Sequence, residues 1–235
     1  MEIRREDIRV LILAGGKATR LMPFTSKLPK SLLPIGGQPI LEILIRQLAQ
    51  HGFRNITIAV GHLAGLIEAY FQDGRDFGVQ IGYAREEEPL GTAGPIARLP
   101  YSPLPLLVVN GDLVTGLDFG GMLSFHISNS ASATIAVHRH VQTDPVAFGV
   151  VDLLATGAVA SIREKPHLDY LANMGVYVLS PIARTLVPPR RIDITEVIQN
   201  LISYCDKVVA YVSEDYWMDI GGPGDYEKAN QDRKP

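Results

Sequence analysis

The chain has one cysteine, Cys205, in 235 residues. A single thiol excludes an internal disulfide and any multi-cysteine metal cluster, and it fits a reducing compartment; Cys205 is expected as a buried filler, not a nucleophile. Long apolar runs are also missing. Val10 to Ala14 and Leu104 to Val109 fall far short of the ~20 residues that a membrane-spanning helix needs. The opening Met1-Glu2-Ile3-Arg4-Arg5-Glu6-Asp7 is too acidic for a secretory leader, so a soluble cytoplasmic protein without a membrane partner is expected. Excess charge of one sign is the third absence. The net charge is −3, so no general attraction to nucleic acid or to an anionic surface is expected, and a phosphate-bearing ligand must be held by local positive groups. Internal repeats, low-complexity tracts and linkers are absent too. Neither G-x-G-x-x-G nor G-x-x-x-x-G-K-[ST] fits the glycine-rich turn near the amino terminus, which argues against a nicotinamide oxidoreductase and a P-loop kinase.

What is present is ordinary globular material, 46% hydrophobic and 20% charged, enough to bury one substantial core. Short β-branched runs alternate with amphipathic stretches: Val10 to Ala14, Pro39 to His51, Asn55 to Val60, His62 to Phe71. This βαβ grammar predicts an α/β fold around a mostly parallel, twisted sheet flanked by helices. Ile40, Leu41, Leu44, Ile45 and Leu48 fall on one helical face, with Gly52 as the stop. Further strands are expected at Val79 to Tyr83 and Leu106 to Val109. After Asp118 the pattern reads as strands joined by turns rather than helices: Ala133 to His138, Val146 to Val151 and Ala158 to Ile162, with Ala155-Thr156-Gly157 as a turn. Met174 to Leu179 and Val208 to Val212 return to strand, with helices at Glu196 to Tyr204 and Pro223 to Asn230. Residues 1–235 are read as one domain with two lobes, about 8–117 and about 118–222, the second carrying a smaller mixed or antiparallel sub-sheet.

The first strand runs into Gly15-Gly16-Lys17-Ala18-Thr19-Arg20-Leu21, where a glycine pair lets backbone N–H groups approach phosphate oxygens. Read onward, Leu13 to Thr25, Pro29-Lys30-Ser31-Leu32-Leu33-Pro34-Ile35 and Pro39-Ile40-Leu41-Glu42 resemble the signature of the sugar-1-phosphate nucleotidyltransferases, roughly LAGGxGTRLxPLT, then PKxLLPV and KPxLE. The resemblance continues in order through Glu88 to Gly94, Asn110-Gly111-Asp112, Phe148-Gly149-Val150, Glu164-Lys165-Pro166, Asn173 to Val178 and Tyr216 to Gly221. It implies a GT-A-like nucleotidyltransferase fold whose sub-sheet binds sugar, and a magnesium-dependent reaction that joins an NTP to a sugar 1-phosphate and releases pyrophosphate. One departure stands out: Ala18 occupies the position of the family's third loop glycine.

The same resemblance distributes the roles. Arg20 is implied on the leaving phosphates and Lys30 on the α-phosphate, as charge-stabilising catalytic groups. Asp112, just beyond an apolar strand, and the distant Asp219 are implied as Mg2+ ligands, since the ion takes one or two carboxylates and completes its shell with phosphate and water. Leu13, Ala14, Gly15, Gly16, Glu86, Gly91 and Thr92 are the expected nucleotide contacts, and Gly149, Glu164, Lys165 and Asn173 those of the sugar phosphate. The attacking phosphate oxygen is already ionised, so no serine, cysteine or histidine nucleophile is required. Glu86 lies where a side chain reads the base, and a carboxylate accepts from the N1–H and amine of guanine. GTP is therefore the expected donor, and the string Pro89-Leu90-Gly91-Thr92-Ala93-Gly94 resembles that of mannose-type and heptose-type guanylyltransferases, which implies mannose 1-phosphate, or a related heptose or hexose 1-phosphate, as acceptor, with a homo-oligomer allowed. Uridylyl, thymidylyl or cytidylyl transfer on the same fold, and a nucleotide-sugar-binding pseudoenzyme, are the alternatives. Lys17 and Lys27 are read as solvated, Asp118, Asp152 and Asp225 as caps or turns, and His138 and His140 as an exposed strand face.

Overall fold

The computed structural model describes residues 3–141, 147–167 and 169–232. One seven-stranded sheet organises it, and its strands in chain order are β1 (Arg9–Ala14), β2 (Asn55–Val60), β3 (Gln80–Arg85), β4 (Leu106–Asn110), β5 (Ala133–Val141), β6 (Asp169–Leu179) and β7 (Val208–Ser213). In space they run β7-β5-β6-β4-β1-β2-β3. The four strands β4, β1, β2 and β3 are mutually parallel; β6 is antiparallel to both neighbours, and β7 returns parallel to β5. The sheet is therefore continuous through both expected lobes.

Why the strands lie centrally follows from their composition. Val10, Leu11 and Ile12 of β1 and Leu106 to Val109 of β4 are each 0% exposed, as unbroken aliphatic runs must be when helices cover both faces. Helix Ile40–Gln50 turns Ile40, Leu41, Leu44, Ile45 and Leu48 inward, all buried, and stops where Gly52 adopts φ +89. Each such buried Leu stabilises the fold by about 2–5 kcal/mol relative to Ala.

Chain order places the functional edge. From β1 the chain moves outward through β2 and β3, then crosses to the other side of β1 to form β4. The carboxyl ends of β1 and β4 thus flank a topological switch point, the crevice where open α/β sheets hold ligands.

Several expectations are corrected. Helix Phe119–Ser128 stands where strands and turns were expected, capped by the Asp118 carboxylate, which accepts from the Gly121 N–H at 2.8 Å. Its glycine pair hides it from propensity, but Phe119, Met122, Leu123 and His126 are buried at helical spacing, and burial overrides the weak local preference. Cys205 is exposed rather than buried, because it follows the last turn of helix Ile194–Ser203 at φ +60. The expected strand Val146 to Val151 is found as Val150–Leu153, with residue 146 outside the described residues; it pairs with Val159–Arg163 across a turn containing Gly157, apart from the main sheet. No helix among the described residues is long and apolar enough to cross a membrane.

Candidate active site

A cleft of about 580 Å³ opens at the switch point, lined by Leu13, Gly15, Gly16, Lys17, Gly61, His62, Glu86, Glu87, Pro89, Gly91, Thr92, Asn110 and Asp112. A smaller recess of about 230 Å³ adjoins it, adding Ala14, Ala18, Arg20, Lys30, Ser31 and Gly111. Backbone bonds hold the two strand ends together: the Gly111 N–H donates to the Leu13 carbonyl at 2.9 Å. A methyl group at Gly16 would meet no protein atom within 4 Å. That residue leaves its side of the cleft open, the clearance that a close approach of a ligand to the backbone requires.

The charged centre is a three-residue cluster. Lys30 Nζ donates to Asp112 Oδ2 at 2.6 Å and stands 3.9 Å from Asp219 Oδ1. Lys30 and Asp112 are 82 residues apart in sequence. Asp219 is delivered by the short strand Trp217–Asp219, which pairs antiparallel with Leu113–Thr115 and sets Asp219 opposite Leu113; the Ile220 N–H then donates to the Asp112 carbonyl at 3.1 Å. Burial raises the Asp219 carboxyl above its ordinary value, Asp112 adds to this, and Lys30 and Arg20 oppose it. Two carboxylates that repel each other and need a lysine between them form a site suited to a divalent cation with oxygen ligands. Asp225 adds a smaller repulsion to Asp219. Arg20 is exposed, and its guanidinium lies beside Gly221, where an added Cβ would sit 3.5 Å from its Nη1.

Ala18 solves the loop geometry at a cost. It adopts φ 48, ψ 47, the left-handed region the family fills with glycine, and its carbonyl accepts from Leu21 N–H at 3.0 Å and Thr25 Oγ1 at 2.9 Å. The backbone turn is kept, and Ala18 lines the smaller recess.

On the far wall of the cleft, Glu86 is the half-buried member of its acidic run. One oxygen accepts from the Leu90 N–H at 2.9 Å, and the other lies over Gly15, where an added Cβ would be 2.8 Å away. The loop that follows is latched to a segment that sequence reasoning did not single out. The Thr92 N–H donates to Asp193 Oδ1 at 3.1 Å, 101 residues away, and the Ile194 N–H donates to Thr92 Oγ1 at 2.8 Å. A Cβ at Gly91 would come 2.5 Å from the Ile192 carbonyl, so this contact requires glycine. Asp193 precedes a helix and reads locally as its cap, yet it makes no cap bond there. Its true partner lies across the molecule, where no local signal points.

The expected sugar-phosphate residues are less converged. Glu164 and Lys165 are exposed, and the Glu164 carboxylate lies over Gly149, where an added Cβ would be 3.2 Å away. These three line neither cavity. Asn173 uses both ends of its amide internally: Nδ2 donates to the Tyr177 hydroxyl at 2.6 Å and Oδ1 accepts from the Gly175 N–H at 3.0 Å, at an irregularity in β6. Gly175, at φ +74, lies against the Asn110 amide, which links this bulge to the cleft wall. Asn110 was quoted only as part of a motif, and its position at the end of β4 is the signal that marks it.

The remaining expectations divide. Asp118 and Asp225 are caps, the latter accepting from the Gly222 N–H at 2.8 Å. Asp152 is instead on a strand, accepting from the Ser161 hydroxyl and from Arg163. His138 is half-buried with its ring 5.8 Å from that of Trp217, not on an exposed face, because Trp217 packs over the end of β5; the His140 side chain lies outside the described residues. Lys27 is exposed, and Lys17 is exposed at the rim of the cleft.

A family model described as nucleotidyl transferase matches residues 9–234. The mannose-1-phosphate guanylyltransferase of Mycobacterium tuberculosis is 35% identical over 96% of this chain and 64% of its own length. The UTP–glucose-1-phosphate uridylyltransferase of Synechocystis is 32% identical over 94% of this chain and 62% of its own length. The chain thus spans less than two thirds of the length of these curated relatives. Among solved structures, HddC from Yersinia pseudotuberculosis complexed with GMP-PN is 27% identical, covers 97% of this chain and 100% of that one, and superposes with a TM-score of 0.74.

Proposed function

The chain belongs to the nucleotidyl transferase family, and from that premise we propose that it catalyses guanylyl transfer from GTP to mannose 1-phosphate or a related heptose or hexose 1-phosphate, yielding a GDP-sugar and pyrophosphate. The nucleotide occupies the lobe of about residues 8–117, and the sugar phosphate the lobe of about 118–222. The observation that carries this reading is the Lys30 ammonium set between Asp112 and Asp219 beside the Gly15-Gly16 turn. A phosphate oxygen of the sugar phosphate attacks the α-phosphorus, the bond to the β-phosphate oxygen breaks, and pyrophosphate leaves with the electron pair. No proton moves in this step.

Each residue then has a defined task. Gly15 and Gly16 admit the triphosphate against backbone N–H groups, with Leu13, Ala14, Gly91 and Thr92 completing the pocket. Lys30 orients and neutralises the α-phosphate, and Arg20 steadies the departing pyrophosphate; aiming fixed charge at developing charge is the largest lever available in such a displacement. Asp112 and Asp219 would hold a magnesium ion, which supplies further charge neutralisation to the phosphates. Lys165 pins the sugar phosphate, while Glu164, Asn173 and the Gly149 backbone contact the sugar. Glu86 favours guanine because its free carboxylate oxygen and its bonded one both remain acceptors. The guanylyltransferase relative and the neighbour complexed with GMP-PN support this choice of base; the uridylyltransferase relative makes UTP the competing donor.

The test is a matrix of nucleoside triphosphates against sugar 1-phosphates with Mg2+, following pyrophosphate. GTP with a manno-configured sugar 1-phosphate is expected to give the highest kcat/KM. Preference for UTP would move the assignment to uridylyl transfer, and no pyrophosphate from any pairing would leave a binding protein without catalysis.

A further inference from the structure

The end of the sheet opposite the cleft carries a second concentration of positive charge, for which the proposed reaction has no use. Arg9 opens β1 beside Leu106, which opens β4, and β6, running the other way, finishes at the same end with Leu179. The short helix Pro181–Thr185 follows and brings Arg184 to that end. Arg9 Nη1 and Arg184 Nη2 donate to one shared acceptor, the Pro100 carbonyl, each at 3.2 Å. The two guanidinium groups therefore lie within two hydrogen-bond lengths of each other.

This arrangement is electrostatically incomplete. Arg184 is only 8% exposed, and the Nε of both arginines is buried with no acceptor. Among the described residues no carboxylate pairs with either one. Burial, and then the neighbouring Arg9, hold the Arg184 guanidinium below its ordinary value, with only the Tyr101 hydroxyl acting the other way. Buried charges are normally paired, and like charges sharing a single neutral carbonyl are not. The missing partner must bring negative charge and several acceptor oxygens at once. A tetrahedral oxyanion does both, and the planar fork of arginine matches it through paired N–H···O bonds. Tyr101, 74% exposed, and the half-buried Arg9 mark where the cluster meets solvent.

We propose that Arg9 and Arg184 form a binding site for a phosphate-class dianion at the amino end of β1. The site is separate from the cleft, because β1 is six residues long and its two ends are therefore ~20 Å apart. Occupancy ties β1, the loop before β4 and the helix after β6 through one ligand, and so stabilises the folded chain by mass action.

The experiment measures binding of inorganic phosphate by titration calorimetry and by the unfolding midpoint, with chloride at matched ionic strength as control. An Arg20→Ala background weakens the phosphate contacts of the cleft. Saturable binding with a rise in Tm is expected, and adding Arg9→Gln should weaken the Kd roughly tenfold or more. Arg184→Lys keeps the charge but loses the fork, and should also weaken binding. Pyrophosphate titrated in parallel distinguishes a single phosphate ligand from a diphosphate one by which binds more tightly. The proposal is overturned if phosphate does no more than chloride, or if both variants keep the Kd of the background. It is also overturned if Arg9→Gln changes only the oligomeric mass, which would make the missing partner a carboxylate of a second copy.

Discussion

Two charged regions of this molecule are built in contrasting ways. Around the cleft, Lys30, Asp112 and Asp219 project from elements anchored in a core whose strand residues are 0% exposed, and the Lys30 ammonium already reaches both carboxylates. The Gly149, Glu164 and Lys165 group sits on and beside the two-stranded sheet, where Leu153, Val159 and Ile162 are 63%, 64% and 71% exposed. Register puts Val151, Leu153, Val159 and Ile162 on one face and Asp152, Ser161 and Arg163 on the other. A pair of strands with an uncovered apolar face is marginal on its own. The contrast is between a preorganised charged cluster and an exposed segment; under the proposed function the first meets the nucleotide and the second is completed by contact with the sugar phosphate.

The most severe break in the comparison is Asp112→Asn. It removes a charge from the preorganised cluster and should lower kcat by about a thousandfold or more without unfolding the chain; near-normal turnover in a pyrophosphate assay would sink the assigned role. Next in size is a pH effect in the core, where helix Phe119–Ser128 packs on β5. Burial depresses His126, whose Nδ1 lies 2.8 Å from Thr134 Oγ1, to about 4. Because the unfolded chain takes up this proton first, stability is intact above the ordinary histidine pKa near 6.5 and declines toward pH 4 by at most about 1.4 kcal/mol per pH unit. Urea unfolding of His126→Gln should lose that part of the pH slope, and an unchanged slope counts against it.

Lys165→Ala tests the open side directly. KM for the sugar 1-phosphate should rise about 10- to 100-fold, with KM for the nucleotide and Tm unchanged, because the side chain is exposed. A fall in Tm would show that this side is structurally braced after all. Asp193→Ala cuts the latch on Thr92, and KM for the nucleotide should rise about tenfold with little change in kcat; an equal rise for both substrates would mean general loosening. The smallest effect is expected at Ala18→Gly, which relieves a left-handed alanine and should stabilise the chain by up to about 1 kcal/mol. No upward shift of the denaturation midpoint would show that the turn is unstrained.

Legibility in the sequence followed the same boundary. Strands β1, β2 and β4 and helix Ile40–Gln50 could be read directly, because burial on both faces or on one helical face writes itself into apolar periodicity. Helix Phe119–Ser128 could not be read, since paired glycines argue against it and only its packing favours it. Arg20, Lys30 and Asp112 were legible as motif residues clustered near strand ends.

The amino-acid sequence alone determined the alternation of strands and helices, the glycine turn after β1 and the family resemblance, because these are local patterns or ordered motifs. Tertiary structure alone decided that Asp193 holds Thr92 and that Arg9 meets Arg184 at one carbonyl. Each of those pairings depends on strand register or crossover, which bring distant residues within a few ångströms and leave no local trace in the chain.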